Sequence, residues 1–308
     1  MSLMDHGLPA VIYIGGYGRS GSTLLDRILG QHPKIFSGGE LHRYGEFIRS
    51  NLLCSCGKAV PDCEIWSDVD RLTDKVGTKA SARWLNSAFG LVLKVPVDQK
   101  GDFVDDQRQL FQSIASVAGA AAIVDSSKTS YGAAGRPAAL YRHAGIDLYF
   151  IHLVRHPYSV WASLNRGTNK QLEGRLSHWG ARRMVSLRAA IGWRFANAMA
   201  VRTAEEFGPD RAITVRYEDL IYRTKHEIER LGNFLHLDLE VCFDVLSGRR
   251  PPREQHVVEG NRSRSAPLHL KTTHDVENLS GIPKLTVDAL CGELMRKFGY
   301  AAVPSLGS

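Results

Sequence analysis

Residues 10–30 read AVIYIGGYGRSGSTLLDRILG, and the fold turns on this stretch. Val11, Ile12, Tyr13 and Ile14 form a short apolar run rich in β-branched residues, the mark of a buried strand. Gly15, Gly16, Gly18 and Gly21 then crowd into a turn, where a residue without a Cβ moves most freely. Ser22 or Thr23 can cap a helix, and Leu24, Leu25, Ile28 and Leu29 repeat at helical spacing. Strand, glycine loop and helix N-terminus in that order aim backbone N–H groups at an anion.

Set against the nucleotide-binding pattern G-x-x-x-x-G-K-[ST], Gly16, Gly21 and Thr23 fit, but Ser22 stands in the lysine's place. That lysine normally reaches the β- and γ-phosphates. The cation here comes earlier, at Arg19. The loop is therefore expected to take a phosphate, and not the triphosphate of an ordinary ATP or GTP site.

The run Tyr17, Gly18, Arg19, Ser20, Gly21, Ser22, Thr23, Leu24 resembles the 5′-phosphosulfate loop of sulfotransferases that use 3′-phosphoadenosine 5′-phosphosulfate (PAPS). The resemblance implies that residues 18–24 bind this cofactor and that Arg19 touches the leaving phosphate. It also implies the family's fold, a three-layer P-loop-type α/β domain with a central, mainly parallel sheet flanked by helices. The whole chain, 1–308, is expected to form one such domain, with 45–120 and 249–283 as acceptor-site and lid insertions.

Composition sets the outer bounds. Hydrophobic content of 44% and charged content of 23% are ordinary for a globular protein. No apolar run approaches the roughly 20 residues of a membrane helix. The opening MSLMDHGLPA lacks a basic segment followed by an apolar one, so a cytoplasmic enzyme is the expectation. The net charge of +7 permits nucleic acid as a partner, yet the arginines gather into no tail and no nucleic-acid motif is present. An anionic cofactor, with an acceptor that is a small molecule, a carbohydrate or a lipid-like compound, accounts for the charge equally well.

Further strands are expected at 35–41, 121–125, 147–155 and 212–217. Helices are expected at 83–93, 107–118, 158–164, 188–207, 226–246 and 284–298. From 249 to 264, Pro251, Pro252, Gly260 and five arginines predict a mobile loop. In the sulfotransferases, an arginine at a strand end followed eight residues later by a serine binds the cofactor's 3′-phosphate; Arg155 and Ser163 reproduce that spacing. By the same resemblance Tyr217, in the run R-Y-E-D-L, lies near the adenine. Gly260, Asn261 and Arg262 are similar to the late loop that contacts the 3′-phosphate, although the usual R-K-G form is absent. Asp125, Ser126, Ser127 and Lys128 match a family run that turns its lysine toward the cofactor pocket.

A base for the acceptor hydroxyl must come from a carboxylate or histidine beside the loop. Glu40, after Gly38 and Gly39, is the first choice; His42 is the second, with His152 and His178 behind it. The family uses glutamate in some carbohydrate sulfotransferases and histidine in the cytosolic aryl and steroid group. Three of the five cysteines, Cys54, Cys56 and Cys63, lie in CSCGKAVPDC with His42 upstream. Their spacing matches no paired C-x-x-C set, so a local disulfide or buried thiols are expected, and no metal. Bacterial sulfotransferase-like proteins carry a similar C-x-C-G…C…W insert, which implies a structural role. Two other functions stay open: a P-loop kinase using ATP and magnesium with Asp125 as metal ligand, and a non-catalytic nucleotide-binding module.

Overall fold

The computed structural model describes residues 8–49, 52–73, 97–130, 133–172, 178–258, 262–270 and 279–300. Its strands are β1 (Ala10–Gly15), β2 (Ile35–Ser37), β3 (Ala122–Asp125), β4 (Leu148–Val154) and β5 (Ala212–Arg216). They form one five-stranded sheet in the order β2-β3-β1-β4-β5, with every pairing parallel. The chain runs from β1 outward to β2, returns through β3, and crosses β1 to reach β4 and β5. Strand order thus reverses beside β1, which puts the ligand crevice of such a sheet at the C-terminal end of β1. The register fixes what meets there: Tyr13 lies opposite Asp125, and Gly15 opposite His152.

Helices in chain order are α1 (Ser22–Leu29), α2 (Tyr44–Phe47), α3 (Glu64–Leu72), α4 (Val97–Ala118), α5 (Arg136–Arg142) and α6 (Pro157–Leu172). They continue as α7 (His178–Phe207), α8 (Tyr217–Tyr222), α9 (Thr224–Leu235), α10 (Glu240–Leu246) and α11 (Gly281–Lys297). Successive residues of β1 point to opposite faces. Ala10, Ile12 and Ile14 pack with Leu25, Ile28, Leu231 and Leu235, which builds the layer of α1, α9 and α10. Val11 and Tyr13 pack with Trp66, Phe111, Leu140 and Phe150, which builds the layer of α3, α4 and α5. A third cluster, with Tyr17, Val154, Tyr158, Trp193 and Met295, joins α6, α7 and α11 at the C-terminal edge of the sheet. Each fully buried large side chain contributes about 1.5–3 kcal/mol. The result is the expected three-layer α/β architecture. Among the described residues no helix is long and apolar enough to cross a membrane.

The sequence reading needs two corrections of detail. The helical stretch expected at 226–246 divides into α9 and α10, because His236 takes a left-handed φ of 54° and ends α9. Asp238 then accepts a hydrogen bond from the Glu240 N–H at 2.9 Å and restarts the chain as α10. The segment 251–258 lacks regular structure, as expected, but is not loose. Val257 and Val258 are fully buried, and Val258 pairs in parallel with Gly39. The helix expected at 83–93 lies outside the described residues, whereas that at 107–118 falls inside α4.

Candidate functional site

The glycine loop owes its path to two close approaches. Gly16, at φ 113°, lies so near β4 that a Cβ would sit 2.2 Å from the Leu153 carbonyl oxygen. Gly21, at φ 94°, caps α1, and a Cβ there would meet the Tyr217 ring at 2.4 Å. The loop is held from the β3 side as well: the Gly16 N–H donates to Thr129 Oγ1 at 2.9 Å, and the Thr129 N–H donates to the Gly16 carbonyl at 3.1 Å. The first ladder bond of α1 runs from the Leu25 N–H to the Gly21 carbonyl at 3.0 Å. The N–H groups of residues 22–24 therefore lie outside that helix's own ladder, where an anion is favoured.

Three non-glycine residues among those described have a left-handed backbone: Arg19 at 68°, Lys128 at 71°, and the helix terminator His236. The first two both stand at the C-terminal edge of the sheet. Such conformations cost of order 1–3 kcal/mol and cluster at functional sites. Lys128 is locked into its own by the Tyr13 hydroxyl, which donates to its carbonyl at 2.6 Å, and by its N–H, which donates to the Ile14 carbonyl at 3.1 Å.

Arg155, just beyond β4, is buried against the loop. Its Nη1 donates to the Arg19 carbonyl at 3.1 Å, and its guanidinium lies 4.4 Å from the centre of the Tyr217 ring. The Trp193 indole N–H donates to the Arg155 carbonyl at 2.9 Å, and Glu218 accepts the His156 N–H at 2.9 Å, so the backbone here is fixed from two sides. Two buried polar atoms of this group have no hydrogen-bond partner among the described residues: Ser20 Oγ and Arg155 Nε. Buried groups of that kind are normally satisfied, so this pair beside the Arg19 carbonyl leaves two donors open to a further acceptor. Tyr217 opens α8, with its ring over Gly21 and under Arg155.

Ser163 is half-buried on α6, and no hydrogen bond joins it to Arg155. Asn261 lies outside the described residues, while Arg262 opens a short 3-10 turn at Arg262–Ser265. Glu40 follows Gly39, whose N–H donates to Asp26 on α1 at 3.1 Å, so its backbone is tied to the loop helix. The Glu40 carboxylate pairs with the Lys128 ammonium. His42 donates its backbone N–H to Ser127 Oγ at 3.0 Å, and its Nδ1 is buried without a partner among the described residues. Burial, together with the Arg136, Lys128 and Arg43 charges, holds the His42 imidazole well below the usual histidine range. Glu40, His42 and Lys128 thus share one rim beside the loop. His152 does not reach it: fully buried in β4, it meets Asn197 Oδ1 at 2.9 Å, and burial lowers its pKa to about 4. His178 begins α7, and nothing is described of its side chain.

Asp125 is fully buried and receives Arg136 Nε at 3.0 Å and the Ser127 N–H at 3.0 Å. A carboxylate spent on an internal ion pair is not presented to a magnesium–nucleotide, so the part a kinase would give Asp125 is already taken. Sequence reasoning passed over Asp26, Arg136, Trp193 and Glu218, which position the others. Of these Asp26, inside the 10–30 stretch, and Glu218, inside R-Y-E-D-L, lie in runs the motifs mark, whereas Arg136 and Trp193 lie in none.

The sequence model of the sulfotransferase family matches residues 9–241, about three-quarters of the chain. The chain belongs to the sulfotransferase family. Solved structures similar to this sulfotransferase-family chain agree on the fold. The sulfotransferase domain from the curacin biosynthetic pathway superposes with a TM-score of 0.53 at 21% identity, covering 93% of this chain and 98% of that one. The sulfotransferase domain from the Synechococcus PCC 7002 olefin synthase gives 0.53 at 20% identity, covering 97% and 98%. Sulfotransferase STF9 from Mycobacterium avium gives 0.52 at 13% identity, covering 97% of this chain and 79% of its own. No match is found among the curated proteins.

Proposed function

We propose that this sulfotransferase-family chain moves a sulfuryl group from PAPS to a hydroxyl of a small-molecule, carbohydrate or lipid-like acceptor. The observation that carries the reading is the pair of buried, unpartnered atoms, Ser20 Oγ and Arg155 Nε, beside a helix N-terminus with Arg19 at its loop. Bound PAPS would supply the group to be transferred. Residues 18–24 would hold its 5′-phosphosulfate end, with Arg155, Ser163, Asn261 and Arg262 at the 3′-phosphate and Tyr217 at the adenine side. Arg19 then neutralises the negative charge that gathers on the leaving phosphate oxygen, which is where a fixed cation acts most strongly. Glu40 takes the acceptor's proton, with Lys128 fixing the carboxylate's direction. We place the enzyme in the cytoplasm, without nucleic acid as a partner.

Calorimetry with 3′-phosphoadenosine 5′-phosphate (PAP), run beside ATP with magnesium, tests the cofactor. PAP is expected to bind, and Arg155→Ala to weaken it by about 100-fold, the loss of a buried charge-assisted contact of about 1.5–3 kcal/mol plus packing on Tyr217. Tighter, magnesium-dependent binding of ATP would overturn the reading in favour of a kinase. Glu40→Gln is expected to lower turnover by about 100-fold or more while leaving PAP affinity within about twofold, as removal of a general base does. If His42→Ala shows that pattern and Glu40→Gln does not, the histidine is the base.

A further inference from the structure

Three thiols and an imidazole converge at the N-terminus of α3, where Cys63 is the capping residue. Cys63 Sγ lies 3.7 Å from Cys54 Sγ, 3.8 Å from Cys56 Sγ and 3.3 Å from His256 Nδ1. All four ligand atoms lie within 4.8 Å of one another, and among the described residues no other such cluster of potential metal ligands occurs. A tetrahedral zinc ion, with Zn–S of about 2.3 Å and Zn–N of about 2.0 Å, sets its ligand atoms about 3.5–3.8 Å apart. A disulfide needs sulfurs at about 2.05 Å, and all three thiols are free, so the expected local bridge is not made.

The backbone is arranged for the same end. Gly57, at φ 87°, closes a tight turn in which the Gly57 N–H donates to the Cys54 carbonyl at 2.9 Å, bringing Cys54 and Cys56 to one side. The backbone N–H groups of Ile65 and Trp66 favour the Cys63 thiolate, and that of Cys56 favours the Cys54 thiolate. Donors of this kind are what metal-bound thiolates require around them. His256 is delivered by a separate clamp: the Trp66 indole N–H donates to its carbonyl at 2.6 Å, the Ser55 N–H to the Val257 carbonyl at 3.1 Å, and the Val257 N–H to Ser55 Oγ at 2.8 Å.

We infer that Cys54, Cys56, Cys63 and His256 form a tetrahedral structural zinc site that fastens the 253–258 segment to the cysteine loop. On binding, the three thiols release their protons and the imidazole coordinates as the neutral ring through Nδ1. The tie has a consequence for the rest of the molecule. The same segment grips the loop helix, where Gln255 Nε2 donates to the Arg27 carbonyl at 2.8 Å, and Val258 pairs with Gly39 beside Glu40. His42, the histidine nearest in sequence, takes no part.

Protein purified without chelator and analysed by inductively coupled plasma mass spectrometry should carry about one zinc per chain, the stoichiometry of a closed four-ligand site. Cys56→Ser, at the half-exposed ligand, and His256→Ala should each lose most of it. Cobalt substituted for the zinc should show the ligand-field spectrum of a tetrahedral thiolate site. Should either variant fail to fold, mercurial titration of the wild-type thiols with a colorimetric zinc indicator gives the answer, since release must follow thiol capture. Substoichiometric metal in protein with intact thiols, a disulfide found among these cysteines by mass spectrometry, or zinc retained in both variants would overturn the site.

Discussion

Replacing Arg19 with alanine is expected to lower kcat for sulfuryl transfer by about 100- to 1,000-fold, the effect of removing a fixed charge-stabilising donor. PAP affinity is expected to fall much less, because the N–H groups of residues 20–24 and the Arg155 guanidinium remain. The distinction comes from where Arg19 stands. Its carbonyl already receives Arg155, and that bond survives the substitution, so the loss reports on the guanidinium. A left-handed φ of 68° strains alanine too, so the stability change is read separately by thermal unfolding. Arg19→Lys keeps the charge and is expected to recover part of the rate. Release of PAP from PAPS, followed with a panel of small alcohols and phenols as acceptors, measures it. An Arg19→Ala enzyme with unchanged kcat would remove Arg19 from the chemistry, whatever happened to KM.

The fold was legible because its strands are short apolar runs with β-branched residues. All five stood out: at β1, β3 and β4 the runs are buried on both faces, and turn residues frame β2 and β5. The glycine loop was legible for a different reason. A Cβ at position 16 would sit 2.2 Å from the Leu153 carbonyl oxygen, which leaves no residue but glycine there, and such constraints write themselves into sequence. Contact between distant segments stayed hidden. His256 and Cys63 are 193 positions apart, and nothing local to either names the other. Arg136 looks like an ordinary first-turn residue of α5 until Asp125 is seen beneath it. The segment 251–258 has the composition of a solvated loop, and only its bonds and the burial of Val257 and Val258 show otherwise: Val258 pairs with Gly39, and the Arg253 N–H donates to Gln31 Oε1 at 2.8 Å. Composition reports what a segment costs to solvate, not what covers it.

Asp26 belongs with these hidden residues, and it yields the second large effect. It lies on α1 with no exposure, and its Oδ2 accepts the Gly39 N–H at 3.1 Å and Ser126 Oγ at 2.7 Å. Ser37 Oγ stands 2.5 Å from Asp26 Oδ1 and 2.9 Å from the Asp26 carbonyl. One hydroxyl carries one proton and cannot donate to both. The network closes if Ser37 donates to the carbonyl and Asp26 itself, protonated at Oδ1, donates to Ser37. Burial points the same way, raising the Asp26 pKa to about 7 against the hydrogen bonds of Ser37, Ser126 and Gly39, with the Asp125 charge adding to the rise.

That proton sets the sign of the stability change with pH. The folded chain keeps it up to about pH 7, whereas the unfolded chain gives it up near the ordinary aspartate value of about 3.9. Between those limits the native state binds more protons, so stability falls as pH rises and levels off above about 7. From about pH 5 to about pH 8 the loss amounts to about 2–3 kcal/mol. Asp26→Asn replaces the neutral carboxyl with an amide whose NH₂ can donate to Ser37 while its oxygen accepts from Gly39 and Ser126. The variant should therefore fold and lack that slope. Urea unfolding across this range, taken as the difference between the two curves, isolates Asp26 from the histidines common to both. Parallel curves would mean that Asp26 is ionised in the fold and that Ser37 donates to it. A difference that grows with pH means that a proton on α1 holds the loop helix to the strand ends that carry Glu40 and Lys128.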